Sequence, residues 1–235
     1  MTPQVTFIIP LYNKESYVID TLKSVQAQTV QDFKVIIVDD KSTDDSFNVV
    51  KEYISNDNRF SLYQLDKNSG SAVARNYALD KVDTRYVSFL DADDTIDPNY
   101  LESQLNFIKD NGPIIVSSYR RKTPKSVSIF NVPEVSTYKS ILKGNTLACL
   151  TTMYDYSVFK QERFPIDMKR HEDYVFWLNI LKKGYVAKGN KDVLATYNLL
   201  EGSKNNNKHK LVKPMYHVYK DKMKFNFIKS WYYVF

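Results

Sequence analysis

Residues 5–40 have the sequence VTFIIPLYNKESYVIDTLKSVQAQTVQDFKVIIVDD. Two short apolar runs, Val5 to Pro10 and Val35 to Val38, flank a stretch whose apolar residues recur at helical spacing. Neither run alternates between polar and apolar residues, so both predict strands that are covered on both faces. Parallel strands need a helical crossover between them, and this stretch therefore predicts a β-α-β unit.

The same alternation continues along the chain. Further strand-like runs are Phe60 to Leu65, Tyr86 to Leu90 and Ile114 to Ser118, with helical spacing between them. This order predicts an α/β fold with an open, doubly wound sheet. Ser42 and Asp45 predict a capping box at the start of the second helix.

The second half of the sequence is less regular. Residues 120–136 predict a basic, proline-containing loop or hairpin, and 147–162 suit either a strand or a helix. We expect a domain over 1–200, with a nucleotide-binding half of about 1–120 and an acceptor half of about 121–200. A loop and a basic, aromatic, helical extension would occupy 201–235.

Composition and charge restrict the class of protein. The 235 residues are 43% hydrophobic and 26% charged, which excludes a disordered chain. Residues 201–235 hold eight lysines and two acids, which accounts for the whole net charge of +6. The rest of the chain is neutral, so we expect no nucleic-acid partner.

Cysteine content and hydropathy predict a compartment. The single cysteine, Cys149, lies in an apolar stretch, which predicts a buried inert thiol in a reducing environment. We find neither a signal peptide nor a run of about 20 apolar residues. The prediction is a cytoplasmic protein, with peripheral attachment to the inner face of the cell membrane left open.

Polar clusters follow the predicted strands, at the edge where ligands bind in doubly wound sheets. The clusters contain five carboxylates in all: Asp39, Asp40, Asp91, Asp93 and Asp94. Carboxylates crowded at one edge repel each other unless a cation lies among them. Hard oxygen ligands of this kind predict Mn²⁺ or Mg²⁺.

Two of these clusters have more specific interpretations. Asp39 suits a nucleobase edge that offers an N–H, such as that of uracil, but Asp39 and Asp40 equally suit capping of the next helix. Asp91 and Asp93 alternate along an extended segment, so they can converge on one ligand.

Five sequence segments together resemble family 2 glycosyltransferases of the GT-A fold. They are FIIPLYNKESYVIDTLKSVQAQT, VIIVDDKSTDDS, NSGSAVARNYAL, VSFLDADDTIDPNYL and HEDYVFWLNILKKG, in the family's order, and the resemblance spans roughly residues 4–200. The resemblance implies an inverting, metal-dependent transfer of a sugar from a nucleotide-sugar, with UDP as the expected nucleotide. The Q-x-x-R-W motif and membrane helices of processive synthases are missing, which predicts transfer of one sugar per visit.

The resemblance also implies roles for individual residues. Asp173 would be the catalytic base and Asp93 the metal ligand. The nucleotide-sugar would contact residues of four segments: Pro10, Tyr12, Asn13, Asp39, Asp40, Arg75, Asp91 and Ala92. Secondary candidates are Glu172, His171, Trp177 and His209, of which Trp177 also suits core packing and the two histidines also suit solvated positions.

The acceptor and the rival functions follow from the same considerations. We expect a hydroxyl of a polysaccharide, lipooligosaccharide or teichoic-acid-type acceptor, linked to lipid. The alternatives are a nucleotidyltransferase and a non-catalytic carbohydrate-binding protein of the same fold. Lysines interleaved with aromatic residues after residue 210 suit an anionic membrane surface, and a plain packing helix remains the alternative.

Overall fold

A computed structural model describes residues 4–168, 170–199 and 209–234, without the side chains of 209–211. The strands of this part of the chain are β1 (Val5–Leu11), β2 (Phe33–Asp39), β3 (Phe60–Gln64), β4 (Tyr86–Phe89), β5 (Thr95–Ile96), β6 (Ile114–Lys122), β7 (Val127–Phe130), β8 (Val135–Ser136), β9 (Thr152–Asp155) and β10 (Ala187–Asn198). The α-helices are α1 (Val18–Gln26), α2 (Ser46–Tyr53), α3 (Ser71–Leu79), α4 (Tyr100–Asn111), α5 (Tyr138–Ile141), α6 (Tyr156–Phe159), α7 (Glu172–Leu181), α8 (His209–His217) and α9 (Phe227–Val234). A 3₁₀ turn covers Cys149–Thr151, and a π-helical segment covers Val218–Lys222.

All these strands form one mixed sheet, with the order β3-β2-β1-β4-β9-β6-β10-β5. Strands β1 to β4 pair in parallel with one another, with Leu11 opposite Asp39 and Ile8 opposite Phe89. Strand β9 runs antiparallel between β4 and β6, and β10 is parallel to β6. The predicted α/β fold with an open sheet is confirmed, and the β-α-β unit of residues 5–40 lies in its parallel half, next to the edge strand β3.

Each face of the sheet is covered by helices, which explains the near-continuous apolar strands. Helices α1, α2 and α4 cover one face, where Leu22, Val50 and Leu101 are fully buried. Helices α3 and α7 cover the other face, where Ala74 and Trp177 are fully buried. Burying a side chain of the size of Leu22 or Val50 contributes about 1.5–3 kcal/mol, so the packing of the helices stabilises the sheet.

The three local predictions from the sequence have different outcomes in the structure. The hairpin alternative holds for residues 120–136, since β6 and β7 pair antiparallel. Residues 147–162 contain both predicted kinds of element, because a strand lies between short helical turns. The capping box is wrong: helix α2 begins at Ser46 without a side-chain cap, and the hydroxyl of Ser42 instead donates to Asp39.

The C-terminal extension is helical and packs against the sheet's helical layer. Val218, Tyr219 and Met223 are at most 3% exposed and join the core beside α7. The Tyr219 hydroxyl donates to the carbonyl of Leu142 at 2.7 Å. Packing therefore accounts for one side of the extension. Within the described ranges, no helix is both long and apolar enough to cross a membrane.

Candidate active site

The carboxyl ends of β1, β2 and β4 bring the predicted polar clusters to one edge of the sheet, here called the rim. Pro10 lies buried inside β1, and the ring of Tyr12 just beyond that strand is 42% exposed. An exposed aromatic ring at this edge suits stacking against a flat base. The first turns of α3 and α7 meet the rim from one side, since Ser71 and Arg75 both contact Glu172.

Asp39 and Asn13 brace the rim loops. Asp39 is fully buried and accepts hydrogen bonds from the amide and hydroxyl of Ser42 and from Gln64. The Asn13 side chain donates to the Thr43 hydroxyl at 3.0 Å and accepts from the Thr43 amide at 2.8 Å. Both polar groups are thus engaged within the protein, and Asp39 already accepts three hydrogen bonds.

Asp40 holds the loop that precedes α3. Its two oxygens accept from the amides of Ser69 and Gly70, each at 2.7 Å, while its own amide donates to Leu11. Gly70 has φ +95°, a backbone conformation that side chains other than glycine rarely adopt. No atom lies within 4 Å of the position that a Cβ would take, so Gly70 is required by the turn and not by a close approach.

Arg75 is the electrostatic centre of the site. Its guanidinium donates to Asp91 at 2.7 Å and to Glu172 at 3.2 Å, and its side chain is 5% exposed. Burial opposes its charge, but the surrounding carboxylates raise the pKa of Arg75, so it stays protonated. Arg75 therefore joins Asp91 to the start of α7, and both terminal nitrogens of its guanidinium are already paired.

The aspartates after β4 have three different environments. Asp91 pairs with Arg75, and Asp93 pairs with the ammonium group of Lys14 at 2.6 Å. Asp94 is fully buried, where burial and the charges of its neighbours raise its pKa well above the ordinary value. Asn198, at the end of β10, donates to the Asp93 carbonyl at 2.7 Å and fixes this turn. The Asp94 carboxylate accepts from the amide of Asn198 at 2.8 Å. The extended segment predicted for Asp91 and Asp93 is wrong, because the Asp94 amide donates to the Asp91 carbonyl at 3.0 Å and closes a turn.

Glu172 and Asp173 are adjacent carboxyls with opposite pKa shifts. Burial opposes ionisation of Glu172, yet Arg75 and the Ser71 hydroxyl lower its pKa below the ordinary value. For half-buried Asp173, burial and the charge of Glu172 raise the pKa to about 6. A pair whose environments separate their pKa values in this way is typical of acid–base sites. Asp173 is consequently the better proton acceptor near neutral pH.

The secondary candidates separate clearly. Trp177 is fully buried against Phe89 and Tyr154, so the packing alternative holds for it. His171 occupies the left-handed region at φ +62°, immediately before α7, and its Nε2 is buried without a partner among the described residues. Burial lowers its pKa. His209 begins α8, and its side chain lies outside the described residues.

The rim residues fit a divalent cation. Burial raises the pKa of Asp93, and an ammonium group already compensates its charge, so this carboxylate sits where a cation is favourable. Within the described ranges, no group of three or more His, Cys, Asp or Glu side chains is arranged as a metal cage. Mg²⁺ and Mn²⁺ bound by one or two carboxylates take their remaining ligands from phosphates and water. Asp93, with Asp91 beside it, would hold such an ion.

Sequence reasoning missed three residues that shape the site. Lys14 pairs with Asp93, Ser71 donates to Glu172 at 2.5 Å, and Asn198 fixes the turn after Asp93. Lys14 and Ser71 lie inside the quoted segments FIIPLYNKESYVIDTLKSVQAQT and NSGSAVARNYAL, so their membership of these segments was the available signal. Asn198 is 105 residues from Asp93 in the chain, and no local pattern connects them.

The fold and the site define a sugar-transferring enzyme of the α/β class, and comparison with known proteins agrees. The family model described as Glycosyl transferase family 2 matches residues 6–179. The chain is 36% identical over 232 residues to the putative teichuronic acid biosynthesis glycosyltransferase TuaG of Bacillus subtilis, covering 97% of this chain and 92% of TuaG. The protein belongs to glycosyl transferase family 2 and is a glycosyltransferase.

Further relatives and solved structures agree on family and fold. The UDP-Glc:alpha-D-GlcNAc-diphosphoundecaprenol beta-1,3-glucosyltransferase WfaP of Escherichia coli is 33% identical over 208 residues, which cover 88% of this chain and 81% of WfaP. The crystal structure of S. aureus TarS 1-349 with UDP-GlcNAc superposes with a TM-score of 0.76 at 24% identity over 92% of this chain. This chain spans 65% of that TarS chain. The GT-A-like fold expected from the sequence is confirmed.

Proposed function

We propose that this glycosyltransferase moves one sugar, with inversion, from a UDP-sugar to a hydroxyl of a lipid-linked cell-surface glycan. The observation that carries the proposal is Asp173, a half-buried carboxyl with a pKa of about 6 at the start of α7. Arg75 links this helix to Asp91 on the rim. A proton acceptor and the predicted donor site are therefore held in one ion-paired cluster.

The donor and acceptor classes rest on relatives. WfaP is named for a UDP-Glc donor and a diphosphoundecaprenol-linked acceptor, and TuaG for teichuronic acid biosynthesis. An exposed Tyr12 ring beside the Asp39 loop suits a nucleobase. These features favour a UDP-sugar and an acceptor at the inner face of the cell membrane, where the enzyme would work as a peripheral protein.

The chain's own residues would perform the proton transfer and the positioning. Asp173 accepts the proton of the acceptor hydroxyl as that oxygen forms its bond to the anomeric carbon. The bond from that carbon to the phosphate oxygen breaks on the opposite face, and its electron pair leaves with UDP. Asp93 would hold a divalent ion, and such an ion, when bound, would supply Lewis-acid stabilisation of the departing diphosphate. Burial and the charge of Glu172 raise the pKa of Asp173, whereas the nearby charge of Arg75 lowers it.

A donor screen with two variants tests the proposal. UDP-, GDP- and dTDP-sugars are incubated with Mn²⁺, and nucleotide release is measured for the wild type. We expect a preference for UDP-sugars; release of pyrophosphate, or a preference for GDP or dTDP, would contradict the proposal.

The variants separate donor binding from chemistry. Asp93→Asn should abolish Mn²⁺-dependent UDP binding and transfer, whereas Asp173→Asn should bind the donor normally and lose transfer. Asp66→Asn, on an exposed loop, is the matched control and should behave as the wild type. Loss of donor affinity in Asp173→Asn would assign that residue a structural role.

A further inference from the structure

The outer side of helix α9 carries an apolar surface with no cover in the described structure. Phe227, Ile228 and Tyr232 are 63%, 79% and 67% exposed. At 100° per residue these positions fall within a 140° arc of one helix, so they form one continuous face. Exposed apolar faces of this kind mark binding surfaces more often than scattered single residues do.

The opposite side of the extension is fixed to the domain. Tyr219 is 2% exposed, and its hydroxyl lies 3.0 Å from that of Tyr174. Ser230 of α9 is fully buried, and Tyr233 packs against the ring of Tyr219. The exposed face therefore cannot be hidden by rotating α9 without breaking this packing.

A basic groove borders the apolar face. It lies between α5 and α9, has a volume of about 590 Å³ and is lined by Tyr138, Lys139, Lys143, Lys229 and Tyr233 among others. The three lysines are exposed, and within the described ranges no carboxylate pairs with them. Lysine-lined grooves next to apolar faces complement anionic headgroups above acyl chains.

We propose that the α5–α9 groove and the outer face of α9 together dock the enzyme on an anionic phospholipid bilayer. The groove takes lipid phosphates, and Phe227, Ile228 and Tyr232 enter the boundary between headgroups and acyl chains. Lys220 and Lys224, exposed on the same extension, add attraction to the surface. This inference rests on the proposed function, because it places the enzyme where a lipid-linked acceptor lies.

The docking surface is joined to the catalytic helix. Tyr174 directly follows Asp173, and its hydroxyl donates to the carbonyl of Ile141 in α5 at 2.7 Å. The neighbouring carbonyl, that of Leu142, accepts from Tyr219. Helices α5 and α7 and the extension thus form one packed unit, which holds the proposed base in a fixed position relative to the bilayer.

Vesicle flotation of the full chain tests the proposal without any sugar substrate. The vesicles contain phosphatidylcholine alone or with about a third phosphatidylglycerol. Phe227→Ser combined with Ile228→Ser and Tyr232→Ser should weaken binding to the anionic vesicles roughly a hundredfold. Lys139→Gln, Lys143→Gln and Lys229→Gln should each weaken binding to the anionic vesicles about fivefold, with little effect on neutral vesicles.

Matched controls and outcomes keep the two proposals separate. Val127→Ser with Ile129→Ser changes two exposed apolar residues of β7 and should leave flotation unchanged. If the wild type does not bind anionic vesicles, the docking proposal is wrong. It is also wrong if the wild type is a dimer that the triple variant of α9 converts to a monomer. Flotation with no UDP release from any donor would instead contradict only the proposed function.

Discussion

Replacing Asp173 by Asn should stabilise the protein while removing its activity. The pKa of this carboxyl is about 6 in the folded protein against an ordinary value of 3.8, so the folded state binds the proton more tightly. The contribution of this carboxyl to stability is therefore greatest at low pH and declines as pH rises from about 4 to 6. At 1.36 kcal/mol per pH unit, ionisation costs the folded state up to about 3 kcal/mol, and partial solvent access reduces this to about 1–3 kcal/mol.

The assay compares wild type and Asp173→Asn by urea unfolding at pH 4.5 and 7.5. At pH 7.5 the variant should be more stable by about 1–3 kcal/mol, and its melting temperature higher by about 2–4 °C for each kcal/mol. At pH 4.5, which lies between the two pKa values, the difference should shrink to about a third of its value at pH 7.5. The rate of transfer should fall about 10²–10⁴-fold in the variant, and the wild-type rate should drop tenfold per pH unit below about pH 6.

A control isolates the buried charge. Asp20, whose side chain is 78% exposed, loses the same charge in Asp20→Asn and should show neither change. The reasoning is refuted if Asp173→Asn is equally stable or less stable than the wild type at pH 7.5, or if its stability gain does not depend on pH.

Three further substitutions test the surrounding site. Lys14→Met should tighten Mn²⁺ binding several-fold without donor, because the ammonium group and the metal compete for Asp93; calorimetry showing weaker binding would contradict this. Arg75→Met should destabilise the fold by about 3–5 kcal/mol, since it leaves Glu172 and Asp91 without their buried cation. It should also move the acidic limb of the transfer rate to higher pH, because the charge of Arg75 lowers the pKa of Asp173. Unchanged melting and pH profiles would disprove the central role of Arg75. Gly70→Ala should cost about 1–2 kcal/mol in urea unfolding, because φ is +95° there and no clash adds to the strain; a neutral effect would contradict that geometry.

The fold was predictable where local and tertiary signals agree. The runs Val5 to Pro10 and Val35 to Val38 are apolar because helices cover both faces of the sheet, and this produces a pattern that sequence alone displays. The capping box predicted from Ser42 and Asp45 does not form, because the Ser42 hydroxyl donates to Asp39 instead. Such competition depends on which loop residues face each other in three dimensions, and spacing does not encode it.

The site was predictable as a set of residues but less so as a set of contacts. Asp91, Asp93, Glu172 and Asp173 belong to recognisable motifs. The structure connects Asp91 to Glu172 through Arg75, and it pairs Asp93 with Lys14. The fork of Arg75 between two acids 81 residues apart could not be inferred, because it depends on how α3 packs beside α7. The roles assigned to these residues and the boundary at residue 200 remain predictions.

The two tyrosine hydroxyls beside α5 have a consequence for engineering this enzyme. The family match ends at residue 179, yet Tyr174 and Tyr219 share a polar junction over consecutive carbonyls of Ile141 and Leu142. In a chimera that takes only the C-terminal helices from a relative, the Tyr174 hydroxyl would lie against residues of the other protein and no longer against Tyr219. Transplanting α5 and α7 together with the C-terminal helices would keep all partners of the junction from one protein, so the extension and the helix that begins at Glu172 would have to be exchanged as one unit.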